Sequence, residues 1–170
     1  MASDLVEMEA CIPSLRRYAS ALLRDRQDVD DLVHDCLVRA LDRLHTRRKD
    51  GELRPWLFAI MHNLFVSRVR RVKLRSSIDE IVAADPTGLG RRSTQEDVLR
   101  RRDLTRALVE LPENQRIVLL LVAVEGLPYA ETARALKVPI GTVMSRLSRA
   151  RENLRERMGE DVQPALRRVK

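Results

Sequence analysis

Between Lys137 and Arg157 the chain sets six cations against two acids, on a stretch with a clear helical period. Thr142, Ser145, Arg146, Ser148 and Arg149 stand in its first turns, away from the apolar positions Val143, Leu147, Ala150 and Leu154. Arginine can bond guanine with two hydrogen bonds, and Ser or Thr can serve a base or a phosphate. This set therefore suits a helix laid in the major groove of DNA. Lys137, Arg151 and Arg155 are better placed for phosphates, which position a protein without specifying sequence. Upstream, Tyr129 to Leu136 forms a shorter periodic segment, and Lys137-Val138-Pro139 breaks it. Ala133 is small where two helices must cross, and Gly141-Thr142 opens the second helix. The expected unit is a helix-turn-helix with a basic recognition helix; a plain hairpin with a solvated basic face is the alternative.

Two other charge clusters invite the same question. Residues 25–35 carry Asp25, Asp28, Asp30, Asp31 and Asp35 against Arg26 alone, a local net of −4. Residues 68–75 carry Arg68, Arg70, Arg71, Lys73 and Arg75 with no acid. Both can be solvated faces, or surfaces for two partners, one basic protein and one phosphate backbone. Part of the acidic run matches the dipole of a helix start.

Catalytic patterns are missing. The sequence has no Gly-rich phosphate loop, no nucleophile elbow and no paired-carboxylate context beyond the helix-face run, so no enzyme activity and no cofactor are expected. His34, His45, His62, Cys11 and Cys36 are the candidate metal ligands, without a CxxC or HxxxH pair. Cys36 lies on an apolar face and reads as a buried free thiol, so no metal site is expected. A redox pairing of Cys11 with Cys36 is the competing reading.

The elements that would position these residues are helices. Ile12, Leu15, Ala19 and Leu22 share a face, with Pro13 expected in the first turn. Val29, Leu32, Val33, Cys36, Leu37, Ala40, Leu41 and Leu44 follow with an amphipathic spacing, and Asp28 fits as N-cap. A third helix is expected from about Pro55 to Arg71, buried through Leu57, Ile60, Met61, Leu64 and Phe65. Residues 73–94 lose the period and gather Ser, Gly and Pro86, which reads as a flexible linker. After it come helices from about Gln95 to Leu111, from Pro112 to Val124, from Tyr129 to Leu136, and from Ile140 to Met158. The fold class is all-α: two small helical domains, residues 1–72 and 95–170, joined by the linker, the second containing the helix-turn-helix.

Composition agrees. The 170 residues are 44% hydrophobic but only 3% aromatic, and 32 Lys+Arg against 25 Asp+Glu give a net charge of +7. Few aromatics and little Gly suit helices better than a sandwich or barrel. The basic balance points to an anionic partner, nucleic acid first. The longest apolar run, Ile117 to Val124, is far short of a membrane span, so no membrane insertion is expected. The acidic N-terminus lacks a signal-peptide core, and two cysteines make no disulfide framework. The expected compartment is the cytoplasm.

At this point the residues resemble a known family. YAETARALKVPIGTVMSRLSRARENLRE looks like the helix-turn-helix of bacterial extracytoplasmic-function (ECF) sigma factors, and LPENQRIVLLLVAVEGLPY like the stretch before it. DVDDLVHDCLVRAL resembles their helix that binds the β′ clamp of RNA polymerase, and LRPWLFAIMHNLFVSRVRR the helix that engages the −10 element. The resemblance covers nearly the whole chain, with both motifs in order.

It implies a factor that binds core RNA polymerase through the β′ clamp and β flap, opens the −10 element of promoter DNA with its first domain and reads −35 with its second. An anti-sigma factor is the implied regulator. Asp28, Asp31, Asp35 and Asp42, with Arg39, would face the clamp. The loop Leu44 to Arg54 would receive an unstacked base, with His45, Arg47, Arg48 and Lys49 around it. Trp56, Asn63, Arg68, Arg70 and Arg71 complete the −10 candidates, although Trp56, in the first turn of a helix, reads more readily as core. Met144 joins the −35 set, where relatives often carry Arg, and Ser148 stands where larger side chains are frequent. Pro128 replaces the usual Ser or Thr cap. A sigma-like decoy that sequesters an anti-sigma factor, or a stand-alone helix-turn-helix regulator, would share much of this pattern.

Overall fold

The computed structural model describes residues 2–47, 51–75 and 95–158, and among them only helices and turns occur. Helices α1 (Ala2–Leu22), α2 (Arg26–Arg43) and α3 (Leu53–Arg75) make one compact unit, with a 3₁₀ turn at Leu44–Thr46. Helices α4 (Gln95–Val109), α5 (Glu113–Leu119), most of α6 (Tyr129–Leu136) and α7 (Ile140–Met158) make a second. Most of the expected linker lies outside the described residues, but its first three residues extend α3.

In the first unit the three helices pack against one another around an apolar centre. Helix α1 starts about a dozen residues before the position expected from Pro13, which sits inside it. An internal proline removes one hydrogen bond and crowds the preceding turn, at a cost of about 3 kcal/mol. Burial of Met8 and Cys11, in line with Leu15, Tyr18, Ala19 and Leu22, offsets that cost, and Pro13 itself faces solvent. The N-cap of α2 is Asp25, not Asp28: the backbone N–H of Asp28 donates to Asp25 Oδ1 at 3.1 Å. Asp28 instead occupies the first turn, where its charge suits the helix dipole.

Leu41 also departs from the expected stripe and is exposed. At 100° per residue it lies more than a quarter-turn from the centre of the Val29, Leu32, Val33, Cys36 and Ala40 face, which α1 and α3 cover. On α3, Leu57, Ile60, Met61 and Phe65 are buried as expected, and Leu64 is half-buried. Phe58 is fully buried, edge-on to Tyr18 with ring centroids 5.4 Å apart, and the Arg54 guanidinium lies 5.7 Å from the Phe58 ring centre. Trp56 is only half-buried. The Cys36 thiol lies 3.6 Å from the Leu57 carbonyl, and burial pushes its pKa up to about 12.

In the second unit α4 and α5 both pack on α7. The apolar run expected as one helix changes winding: α5 passes into a π-helical turn at Leu120–Val124, with the Glu125 N–H bonded to the Leu120 carbonyl at 2.9 Å. Gly126, at φ +70°, closes it, and the Leu127 N–H reaches the Leu121 carbonyl. Among the described residues no helix is long and apolar enough to cross a membrane, and no group of three His, Cys, Asp or Glu side chains could hold a metal ion.

Candidate nucleic-acid interface

The turn between α6 and α7 is fixed by backbone geometry. Lys137 adopts φ +55°, its N–H bonds the Arg134 carbonyl at 3.2 Å, and the next N–H, of Val138, bonds the Ala133 carbonyl at 3.0 Å. This is a Schellman closure with lysine where glycine is usual. Pro139 then starts α7, its carbonyl accepting from the N–H groups of Thr142 and Val143. Val143, Leu147, Ala150 and Leu154 are buried, as their spacing requires, so the helix has one possible rotation. Two polar contacts hold its far end. Asn153 Nδ2 donates to Gln115 Oε1 at 2.7 Å, and Arg157 pairs with Glu110.

That rotation leaves Met144, Ser145, Ser148 and Arg149 exposed on α7, with Lys137 exposed in the turn. Thr142, Arg146 and Arg151 are half-buried. The Ser145 hydroxyl donates to the Thr142 carbonyl at 3.1 Å, so it meets a partner as an acceptor. Arg155 pairs with Glu152 at 2.9 Å on its own helix, an exposed contact that a phosphate can displace. A shallow groove of about 310 Å³ runs between Tyr129 of α6 and Met144, Ser148, Arg151 and Arg155 of α7. The Arg151 Nε beside it is buried without a hydrogen-bond partner in the structure. A basic helix with short hydroxyls at its start and a cation-lined groove at its flank is complementary in charge to a DNA duplex.

The first unit divides its candidates more sharply. On α2, Asp35, Arg39 and Asp42 are exposed, and Val38 and Leu41, 52% and 51% exposed, lie among them. The two apolar residues belong to the same exposed face, which charge alone does not reveal: Leu41 sits next to Ala40 at the end of the apolar spacing, and a lone Val38 gives no signal. Asp28 and Asp31 are committed differently. Arg68 of α3 donates to Asp28 Oδ1 at 2.8 Å and to the Asp28 carbonyl at 3.1 Å, and lies 3.7 Å from Asp31 Oδ2. A residue expected on −10 DNA thus pins α3 to the start of α2. Arg47 likewise donates to Asp4 Oδ1 at 2.8 Å and to the Gly51 carbonyl, tying the loop after α2 to α1.

His45 is exposed next to it, whereas Arg48 and Lys49 lie outside the described residues. Asn63 is exposed, but its Nδ2 donates to the Ala59 carbonyl at 2.7 Å, so one of its donors is taken up on its own helix. Arg70 is exposed, and the side chain of Arg71 lies outside the described residues. No sequence signal marks Arg68 or Arg47 as internal ties, because both partners lie about forty residues away along the chain.

Comparison with known proteins fits this division. A family model described as "Sigma-70, region 4" matches residues 101–154, and one described as "Sigma2 domain of PhyR" matches residues 8–62. The chain is 34% identical over 145 residues to the ECF RNA polymerase sigma factor EcfG of Rhodopseudomonas palustris, covering 85% of this chain and 79% of that protein. It is 33% identical over 148 residues to the ECF RNA polymerase sigma factor SigM of Mycobacterium tuberculosis, covering 85% and 71%. Among solved structures it is similar to the sigma factor RpoE of Bartonella quintana in complex with the anti-sigma factor NepR. That match has a TM-score of 0.83 and 27% identity, over 95% of this chain and 99% of that one.

Proposed function

Since the chain belongs to the ECF RNA polymerase sigma factors, we propose that its two described surfaces divide the work of promoter recognition between them. It is an alternative sigma factor that binds core polymerase and directs initiation at particular promoters. The polymerase supplies the chemistry, and this chain supplies the addresses. Its place of action is then the cytoplasm, with the chromosome and the polymerase.

The outer face of α2 is the core-binding surface, against the β′ clamp. Val38 and Leu41 give it apolar area to bury, and Asp35, Arg39 and Asp42 give it charge complementarity that sets orientation and rate of encounter. Asp28 and Asp31 take a smaller share, because Arg68 already pairs with Asp28 and lies close to Asp31. The −10 strand is met by His45, Trp56, Asn63 and Arg70, with Arg48, Lys49 and Arg71 as further cations. A half-buried Trp56 can offer a ring face to an extruded base, and such stacking is worth roughly 1–3 kcal/mol per base. Helix α7 reads the −35 element through Thr142, Ser145, Arg146, Ser148 and Arg149, with Lys137, Arg151 and Arg155 on phosphates. The second unit also meets the β flap. Control by an anti-sigma factor is supported by the likeness to a relative solved with one.

The observation that carries this reading is the outer face of α2, where exposed Val38 and Leu41 are set among exposed Asp35, Arg39 and Asp42. It is tested by Asp35→Arg and Asp42→Arg, which touch no internal ion pair. Each variant should keep its helical circular dichroism and lose at least about tenfold in affinity for core polymerase, the order of one misplaced interface charge. Unchanged affinity in both would remove the α2 assignment.

A further inference from the structure

The exposed side chains of α7 are polar with two exceptions. Ile140 is 49% exposed and Met144 52% exposed. They stand four residues apart, so they adjoin on one flank of the helix, in its first two turns. Burial within the unit does not account for them, since the inner face is already complete in Val143, Leu147, Ala150 and Leu154. Lys137 lies before the pair, and Arg151 and Arg155 share the groove that Met144 helps to line. A hydrophobic protein partner seated here would have to desolvate those cations, whereas a DNA duplex would neutralise them.

Within a major groove the apolar feature open to such side chains is the C5-methyl group of thymine. Methionine is unbranched and adaptable, and fits a small apolar contact of this kind. It offers no hydrogen-bond donor to a base, and the hydroxyl proton of the neighbouring Ser145 is spent on the Thr142 carbonyl. The flank that Ile140 and Met144 form therefore presents methyl and thioether surface and no side-chain donor of its own.

We propose that Ile140 and Met144 are specificity-determining residues that select thymine in the upstream promoter element by contact with its methyl group. Thr142 and Arg149 supply hydrogen-bond readout beside them. This rests on the reading of α7 as the −35-reading helix.

The test uses the full chain bound to core polymerase. Upstream elements are first selected from a random duplex library. Each thymine of the selected element is then replaced by deoxyuridine, which removes the methyl and nothing else. One or two positions should lose about fourfold in affinity, the equivalent of one methyl taken out of an apolar contact at about 0.8 kcal/mol. Met144→Ala should abolish the sensitivity at one position, and Ile140→Ala should reduce it there or at the adjacent one. Both side chains are exposed, so the variants should fold, and circular dichroism checks it. Tolerance of deoxyuridine at every position, or sensitivity that survives in the double variant, would overturn the proposal while leaving the promoter reading intact. Selection of no upstream motif would instead overturn the promoter reading, and this proposal with it.

Discussion

Arg68→Ala should loosen the first unit, and the size of the effect follows from its contacts. The guanidinium makes one bond to the Asp28 carboxylate at 2.8 Å and one to the Asp28 carbonyl at 3.1 Å. Its side chain is 31% exposed and that of Asp28 47%, so water screens the ion pair and it contributes about 0.5 kcal/mol. The bond to the carbonyl adds about 1 kcal/mol, giving a loss of about 1–1.5 kcal/mol for Arg68→Ala. Asp28→Ala removes the pair and a carboxylate at a helix start, but spares the bond to the carbonyl.

The double-mutant cycle isolates the pair alone and should give a coupling of about 0.5 kcal/mol. The protein has a single tryptophan, Trp56, and it lies on α3, so its fluorescence during urea unfolding follows this unit. An unchanged midpoint in Arg68→Ala, combined with weakened promoter binding, would refute the reasoning and return Arg68 to the DNA-contacting set.

Lys137→Gly should stabilise the turn between α6 and α7 by up to about 1 kcal/mol, because glycine adopts φ +55° without the strain of a Cβ. The same change should weaken binding to all duplexes alike and lower the salt slope by about 1; a loss confined to one sequence would contradict the phosphate role. The Cys36 thiol titrates near 9 when exposed and near 12 in the fold, so folding retains its proton. Its contribution is complete below pH 9 and is lost as pH rises from 9 to 12, at up to about 1.4 kcal/mol per pH unit. Urea midpoints measured from pH 8 to 10.5 should therefore fall more steeply for the native chain than for Cys36→Ala, and parallel curves would contradict this. Arg149→Ala should cost about 1–3 kcal/mol on the preferred −35 sequence and little on others if the guanidinium reads a base.

The parts of the fold legible in the sequence are those that one helix decides for itself. The span of α7 and its buried residues follow from a 3.6-residue period over five turns, and Pro139 and Gly141 mark its start. The early start of α1 was hidden by Pro13, whose local signal says helix start while Met8 and Cys11 say otherwise. Asp25 and Asp28 are both good caps in isolation, and the choice between them is made by the extended backbone at Asp25, which lets the helix begin at Arg26. Lys137 carries no sign of a left-handed backbone, because that conformation belongs to the closure of α6, in which the Val138 N–H reaches back to the Ala133 carbonyl. The candidate site divides the same way. The exposed face of α7 was legible from its own pattern. The commitment of Arg68 and Arg47 was not, because an ion pair between helices depends on how those helices pack.

The most direct test is transcription in vitro with sigma-free core polymerase, the purified chain and a pool of genomic promoter fragments. The account predicts discrete start sites that require the chain, share a −35 motif, and disappear with Asp35→Arg in α2. Binding to core without initiation at any fragment would contradict it in favour of a decoy, and tight binding to DNA with none to core would contradict it in favour of a stand-alone regulator.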